Sequence, residues 1–249
     1  MYDIWFISYN EPNAEENWHR VKTLVPGARR LAGIKGLANA YRAAAESSKT
    51  DWFWIIDGDN WLLNPSIFNF RCPDSADNGH LFVWPARNSI NGLEYGNGAV
   101  KLYNRESALI VPDHVEDFSI AVCETRIKFP GIASETRINT SPLQAWTSGF
   151  REGFKLHRRI KNGEANAIKQ YNVWTTCGSE AINGKYAIEG VKFGYVRFGI
   201  EPDFPINNQA VLEEIFYDWE KQLKKYDIYH LSPSFTLEEK PSNDGSGSG

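Results

Sequence analysis

Residues 51–60, DWFWIIDGDN, constrain the fold more than any other part of the chain. Trp52-Phe53-Trp54-Ile55-Ile56 is aromatic and β-branched, lacks a helical period and stops at Gly58, which is the pattern of a strand covered on both faces in a parallel sheet. Asp57 and Asp59 stand where that strand runs out, and in open α/β sheets ligands bind beyond the carboxyl ends of the strands. Two readings of Asp-Gly-Asp-Asn are open. Two carboxylates flanking a glycine that lets the backbone turn can share a hard divalent cation and hold a diphosphate against it. The same four residues also make an ordinary turn closed by Asx hydrogen bonds.

The preceding 50 residues favour the first reading. DIWFISY over 3–9 predicts a strand ending in Asn10-Glu11-Pro12-Asn13, a turn cluster that also starts a helix over 14–24. A short strand is expected over 28–31. A second helix is expected over 35–48, where Leu37, Ala40, Tyr41, Ala44 and Ala45 recur at helical spacing. The resulting β-α-β-α-β order is that of a parallel sheet and of a nucleotide-binding half-fold.

After Pro65 the pattern changes to short strands over 81–84 and 99–103 around a turn-rich loop, 88–98, placed to edge a cleft. Residues 141–160 predict a helix with Ser141 as N-cap, Pro142 in the first turn and basic residues at its end. Gly149 and Gly153 lie inside it, so either another backbone approaches there or the helix is broken. Residues 178–199 suggest tight turns with a short helix near 187–194, 208–225 a last amphipathic helix, and 241–249 a disordered Gly/Ser tail. The expected organisation is one domain over 1–240, with a donor half at 1–64, an acceptor half at 65–200 and a C-terminal helix and tail.

The whole chain carries a formal charge of −4, so contact with nucleic acid would need a local patch. Lys155, His157, Arg158, Arg159, Lys161 and Lys169 are the one run dense enough, although helix C-termini also collect bases for dipole reasons. Cys72, Cys123 and Cys177, odd in number and far apart, suit free thiols in a reducing compartment. With neither a basic leader nor about 18 consecutive apolar residues, the expectation is a soluble, cytoplasmic protein with no membrane partner.

The strand, helix, small-residue helix and strand ending in Asp-X-Asp resemble the donor half of a GT-A glycosyltransferase. More narrowly, FISYNEPNAEENWHRVK, GIKGLANAYRAA, WIIDGDNWL, YGNGAVKLYNR, AWTSGFREGFKL and GKYAIEGVKFGYVRFG resemble bacteriophage-encoded GT-A enzymes, some of which glycosylate modified pyrimidines in DNA. The resemblance extends to about residue 225. It implies an α/β fold made of a single GT-A-like domain, with a Rossmann-like, mostly parallel central sheet flanked by helices. It also implies Mn²⁺ or Mg²⁺ and a nucleotide-sugar donor, by expectation a UDP-sugar, with hydroxymethylated DNA as acceptor in the host cytoplasm. A protein or glycan acceptor, or a non-catalytic nucleotide-sugar-binding domain, are the alternatives.

Carried over to this chain, the resemblance places Asp57 and Asp59 at the metal and diphosphate, with Asp59 the direct ligand. Tyr9 would stack on the nucleobase, Asn10 or Glu11 bond base or ribose, and Lys35 reach a phosphate or donor hydroxyl. His230 is the candidate third metal ligand, with His114 its competitor. Glu152, beside Arg151, is the candidate base that deprotonates the acceptor. Asn97 would line the acceptor side unless it only makes a hairpin turn, and Trp84, Tyr95 and Trp146 are candidates to stack on an acceptor base.

Overall fold

The computed structural model describes residues 1–112, 115 and 118–226, with the side chains of 96–99 and 224–226 excluded. The chain divides into two compact units, Met1–Thr140 and a second beginning at Ser141. This boundary coincides with neither residue 64 nor residue 200, because strands after residue 64 continue the sheet begun by the first three.

The first unit opens with β1 (Asp3–Ser8), α1 (Ala14–Leu24), β2 (Arg29–Ala32), α2 (Leu37–Ser47) and β3 (Trp52–Asp57). It continues with β4 (Asn60–Leu62), a 3-10 turn (Pro65–Asn69), β5 (His80–Asn88), β6 (Glu94–Asn104), α3 (Arg105–Ile110), α4 (Phe118–Ala121), β7 (Thr125–Lys128) and β8 (Ser134–Thr136). The strands form one sheet in the order β2-β1-β3-β6-β5-β8-β4, with β7 paired to β5. Among the described residues four of the seven pairings are parallel, β1 with β2, β1 with β3, β5 with β7 and β5 with β8. The fold is α/β, with a Rossmann-like β-α-β-α-β beginning and helices on the sheet.

Strand alternation sets the two cores. Trp5, Ile7, Phe53, Ile55, Leu81, Val83 and Tyr103 face α2, while Ile4, Phe6, Trp54, Ile56, Phe82, Trp84 and Leu102 pack with Val21 of α1 and with Phe68. Residues 52–56 are buried on both faces, as their composition predicts. The expected loop over 88–98 is shorter in the structure. The Asn88 side chain accepts from Ile90 N–H at 2.8 Å and Asn88 N–H donates to the Leu93 carbonyl at 2.8 Å, so the turn closes early and β6 begins at Glu94.

The second unit contains α5 (Pro142–Lys161), α6 (Ala165–Thr176), α7 (Gly184–Ile200) and α8 (Gln209–Tyr226). Ser141 caps α5 by accepting from Gln144 N–H at 3.1 Å. The alternative of a broken helix at Gly149 and Gly153 is resolved in favour of close approach. A Cβ at Gly149 would lie 2.2 Å from the Ala187 carbonyl oxygen, and one at Gly153 2.0 Å from that of Val191. The relation is reciprocal, since a Cβ at Gly190 or Gly194 would meet the carbonyls of Trp146 or Phe150 at 2.1 and 2.0 Å. Gly190 and Gly194, read as part of a turn-rich stretch, are therefore contact points of a 17-residue helix, not near the end of a short one, while Gly178 before it does adopt positive φ. Trp146, Phe150, Phe154, Phe198, Phe204, Leu212 and Phe216 fill the space beside this crossing. Among the described residues no helix is long and apolar enough to cross a membrane.

Gly153→Ala should destabilise the protein by about 3 kcal/mol or more, because the added methyl meets a backbone that cannot move aside. Gly27→Ala, where nothing lies within 4 Å, should change stability by less than about 1 kcal/mol. Urea unfolding midpoints of the two variants check the contrast.

Candidate functional site

β1, β2 and β3 are parallel and in step, with Ser8 opposite Ala32 and Ile7 opposite Asp57, so the three strand exits lie along one edge of the sheet. Gly33 N–H donates to the Ser8 carbonyl at 3.0 Å and ties the turn carrying Lys35 to the exit of β1. At Gly58 a Cβ would stand 2.8 Å from Glu11 Oε2 and 2.9 Å from the Ile7 carbonyl oxygen, so glycine is required for the turn to pass over the end of β1. Asn17, fully buried on α1, donates to the Gly58 carbonyl at 2.8 Å. Glu11, Asp57 and Asp59 come together at this edge, while Tyr9, Asn10 and Lys35 lie in the segments that leave β1 and β2. Tyr9 is half exposed, Asn10 and Lys35 are exposed, and Tyr9 N–H donates to Glu11 Oε2 at 2.8 Å.

The two aspartates have different surroundings. Asp57 accepts from the Tyr41 hydroxyl through Oδ1 and from Lys101 Nζ at 3.3 Å through Oδ2. Tyr41 comes from α2 and Lys101 from β6, opposite Ile55, so all three side chains share one face of the sheet. Burial, then the neighbouring Asp57 charge, holds the Tyr41 phenol well above its ordinary range. Asp59 Oδ1 accepts from Asn60 Nδ2 at 2.8 Å. Burial first, then the charges of Asp57 and Glu11, push the Asp59 carboxyl up to about 7, with Lys101 pulling the other way.

These contacts bear on the turn alternative. Among the described residues the chain makes Asx bonds to the backbone N–H two residues on at Asn64, Asp77, Asn88 and Asn91, whereas Asp57 and Asp59 aim at Tyr41, Lys101 and Asn60. No three His, Cys, Asp or Glu side chains among the described residues form a group that could hold a metal ion. The site still suits a hard dication in charge, because Asp57, Asp59 and Glu11 outnumber Lys101. The remaining ligands would then be phosphate oxygens or water, as is usual for Mg²⁺.

Arg151 and Glu152 lie on α5 in the second unit. Arg151 donates from Nε to the Ile206 carbonyl at 3.0 Å and from its guanidinium to Gln209 Oε1 at 2.7 Å, which brackets α5 to the start of α8. Glu152 is partly buried, and desolvation raises its carboxyl above the ordinary range against the pull of Lys155 and Arg159. His230 and His114 lie outside the described residues, as does the side chain of Asn97. Within the basic run, His157 is turned inward, its Nδ1 2.6 Å from the Tyr195 carbonyl and its ring stacked on Tyr195, and Arg159 is engaged by Glu164 and Gln170. Trp84 and Trp146 are corrections: both are core residues, Trp84 stacked on Phe129 at 4.5 Å and Trp146 set among Phe150, Phe216 and Trp219, because their neighbours bury them completely or nearly so.

Sequence reasoning missed Lys101, Asn17 and the role of Asn60, and treated Tyr41 only as an apolar helix position. A lysine at an inward position of Ala-Val-Lys-Leu-Tyr is itself a signal, since a cation buried in a strand requires an anion nearby.

No protein-family model and no curated protein matches the chain. Among solved structures, the bifunctional IspDF from Campylobacter jejuni is similar with 12% identity and a TM-score of 0.34, over 52% of this chain and about half the length of that one, 50%. A mannosyltransferase from Pyrobaculum calidifontis, PcManGT, in complex with GDP-Man and Mn²⁺, is similar with 9% identity and a TM-score of 0.40, over 90% of this chain and 84% of that one. Likenesses below a TM-score of 0.5 do not extend to chemistry.

The raised Asp59 carboxyl has a consequence for stability. The folded chain binds this proton below pH of about 7, whereas the unfolded chain binds it only near the ordinary value of 3.8, so lowering the pH from 8 to 5.5 favours the folded state. The contribution is at most about 2 kcal/mol over that interval. Urea unfolding of wild type and Asp59→Asn at both pH values should show the gain in wild type and its absence in the variant.

Proposed function

We propose that the protein is a metal-dependent glycosyltransferase of GT-A architecture, moving a sugar from a nucleotide-sugar donor, read as a UDP-sugar, to an acceptor hydroxyl. The observation that carries this reading is the pair Asp57 and Asp59 at the common exit of three parallel strands, with Asp57 anchored by Tyr41 and Lys101 and Asp59 bonded through Oδ1 to Asn60. Asp59 holds the cation directly and Asp57 sets its position. Tyr9 offers an exposed ring to the nucleobase, Asn10 and Glu11 bond base or ribose, and Lys35 meets a phosphate or donor hydroxyl. A bound Mn²⁺ or Mg²⁺ supplies the positive charge that stabilises the departing diphosphate.

Glu152 is the proposed base. A carboxylate whose proton affinity is raised by desolvation is better matched to deprotonating a hydroxyl than a solvated one. Arg151, with its donors on Ile206 and Gln209, serves by holding the helix that carries Glu152. His230 remains the proposed third metal ligand.

The acceptor proposed from the resemblance is a hydroxymethylated pyrimidine in DNA, in phage DNA hypermodification. A second reading, a protein or glycan acceptor, draws support from two observations: Trp84 and Trp146 are closed off as stacking platforms, and His157 and Arg159 are engaged within their own unit. Calorimetry with UDP and with GDP, with and without Mn²⁺, should show metal-dependent binding of one nucleotide that falls at least about tenfold in Asp59→Asn. Metal-independent binding insensitive to that substitution would instead mark a non-catalytic binding domain. Mass spectrometry of hydroxymethylated DNA and of a glycan panel, incubated with nucleotide sugars, then separates the acceptors by the mass gained.

A further inference from the structure

Asn60 has no exposed surface, yet it carries an amide that is costly to bury unless every polar atom is used. Its position in β4 shares a buried face with Leu62, where an apolar residue would pack without that cost. On the neighbouring strand, β8, Ser134 donates to Asn60 Oδ1 at 2.6 Å and Thr136, directly opposite in register, approaches the same oxygen at 3.3 Å. On its other side Asn60 Nδ2 donates to Asp59 Oδ1 at 2.8 Å. Chemistry fixes the sense of this chain. Two hydroxyls directed at Oδ1 take up the amide oxygen and leave the NH₂ group facing Asp59 Oδ1 as its donor. β8 is itself held in place, pairing β5 on its other edge with Ser134 opposite Ala86 and Thr136 opposite Asn88. A rigid strand pair therefore ends, through two hydroxyls and one amide, on a single carboxylate oxygen.

We infer that Asn60, oriented by Ser134 and Thr136, is a positioning residue that fixes the rotamer of Asp59 so that Oδ2 is presented to a divalent cation. The inference rests on the metal reading given above. It differs from the anchoring of Asp57 in acting from the opposite side of the turn and through neutral groups, so removing it changes geometry without changing the charge at the edge. Outer partners of this kind, by orienting a ligand carboxylate, commonly account for tenfold or more in metal affinity.

The test is Mn²⁺ affinity, read from the free-ion electron paramagnetic resonance signal with and without UDP, for wild type, Asp59→Asn, Ser134→Ala/Thr136→Val, Ser134→Ala and Ser134→Thr. Ser48→Ala serves as a stability control, because Ser48 is also buried and hydrogen-bonded, to Trp5 Nε1 at 2.8 Å and to the Ala44 carbonyl at 2.7 Å, but is remote from the turn in its bonding. Thermal midpoints are recorded alongside. The expected result is loss of binding in Asp59→Asn, about tenfold weaker binding in the double variant, an intermediate loss in Ser134→Ala, and wild-type affinity in Ser134→Thr and in Ser48→Ala despite its lower midpoint. If the double variant fails to fold, Ser134→Ala against Ser134→Thr decides. Wild-type affinity in every Ser134 variant, with Asp59→Asn still defective, overturns the role of Asn60 and leaves the metal site standing. Absence of Mn²⁺ binding in wild type, or binding indifferent to Asp59→Asn, overturns the metal reading and this inference with it.

Discussion

The buried ammonium of Lys101 organises the end of β3. A lysine in the middle of a sheet loses most of its hydration, and a partner charge must return what is lost. Asp57 is that partner at 3.3 Å, and Tyr41 closes the other carboxylate oxygen from α2. Strand, neighbouring strand and helix are thereby fastened at one point, just before the chain turns. Asp57 is occupied on both oxygens, whereas Asp59 is bonded to Asn60 through Oδ1. Gly58 between them lies against β1, and Asn17 fixes its carbonyl, so the two acids differ in surroundings although they look equivalent in sequence.

The two units use close backbone approach for different ends. At Gly58 the approach lets a turn pass over a strand exit and puts Glu11 beside the aspartates. Between α5 and α7 four glycines seat each helix against carbonyls of the other, and the aromatic side chains then pack around the crossing rather than within it. Helix propensity is given up at each of these glycines, and the packing it permits offsets that loss.

What was legible in the sequence follows from which signals are local. The first half-fold was readable almost to the residue, α1 at Ala14–Leu24 and β3 ending at Asp57, because fully buried strands and short amphipathic helices write their period into a few residues. Glycines misled between 178 and 199, since a glycine needed for helix contact has the same letter as one needed for a turn. β4, β7 and β8, each only three or four residues long, carry too little pattern to be seen. Part of the site was legible for the same local reason: Asp57, Gly58 and Asp59 are contiguous. Tyr41, Lys101 and Ser134, which decide what those acids do, come from α2, β6 and β8, and only the tertiary pairing reveals them.

Charge balance sets the exit of β3 apart from the chain's other Asx-type turns. A turn that needs only Asx bonds is served by asparagine or aspartate, and the chain makes such turns at Asn64, Asp77, Asn88 and Asn91. At the exit of β3 it instead sets Asp57 and Glu11 close enough to Asp59 that, after burial, both disfavour its ionisation, with Lys101 acting in the opposite sense. Such an arrangement costs stability wherever Asp59 is ionised. A cation at this edge would remove the conflict, and that is the physical basis of the metal reading proposed above. Asn17, Asn60, Tyr41 and Ser134 hold this turn and its two acids from four different elements, α1, β4, α2 and β8.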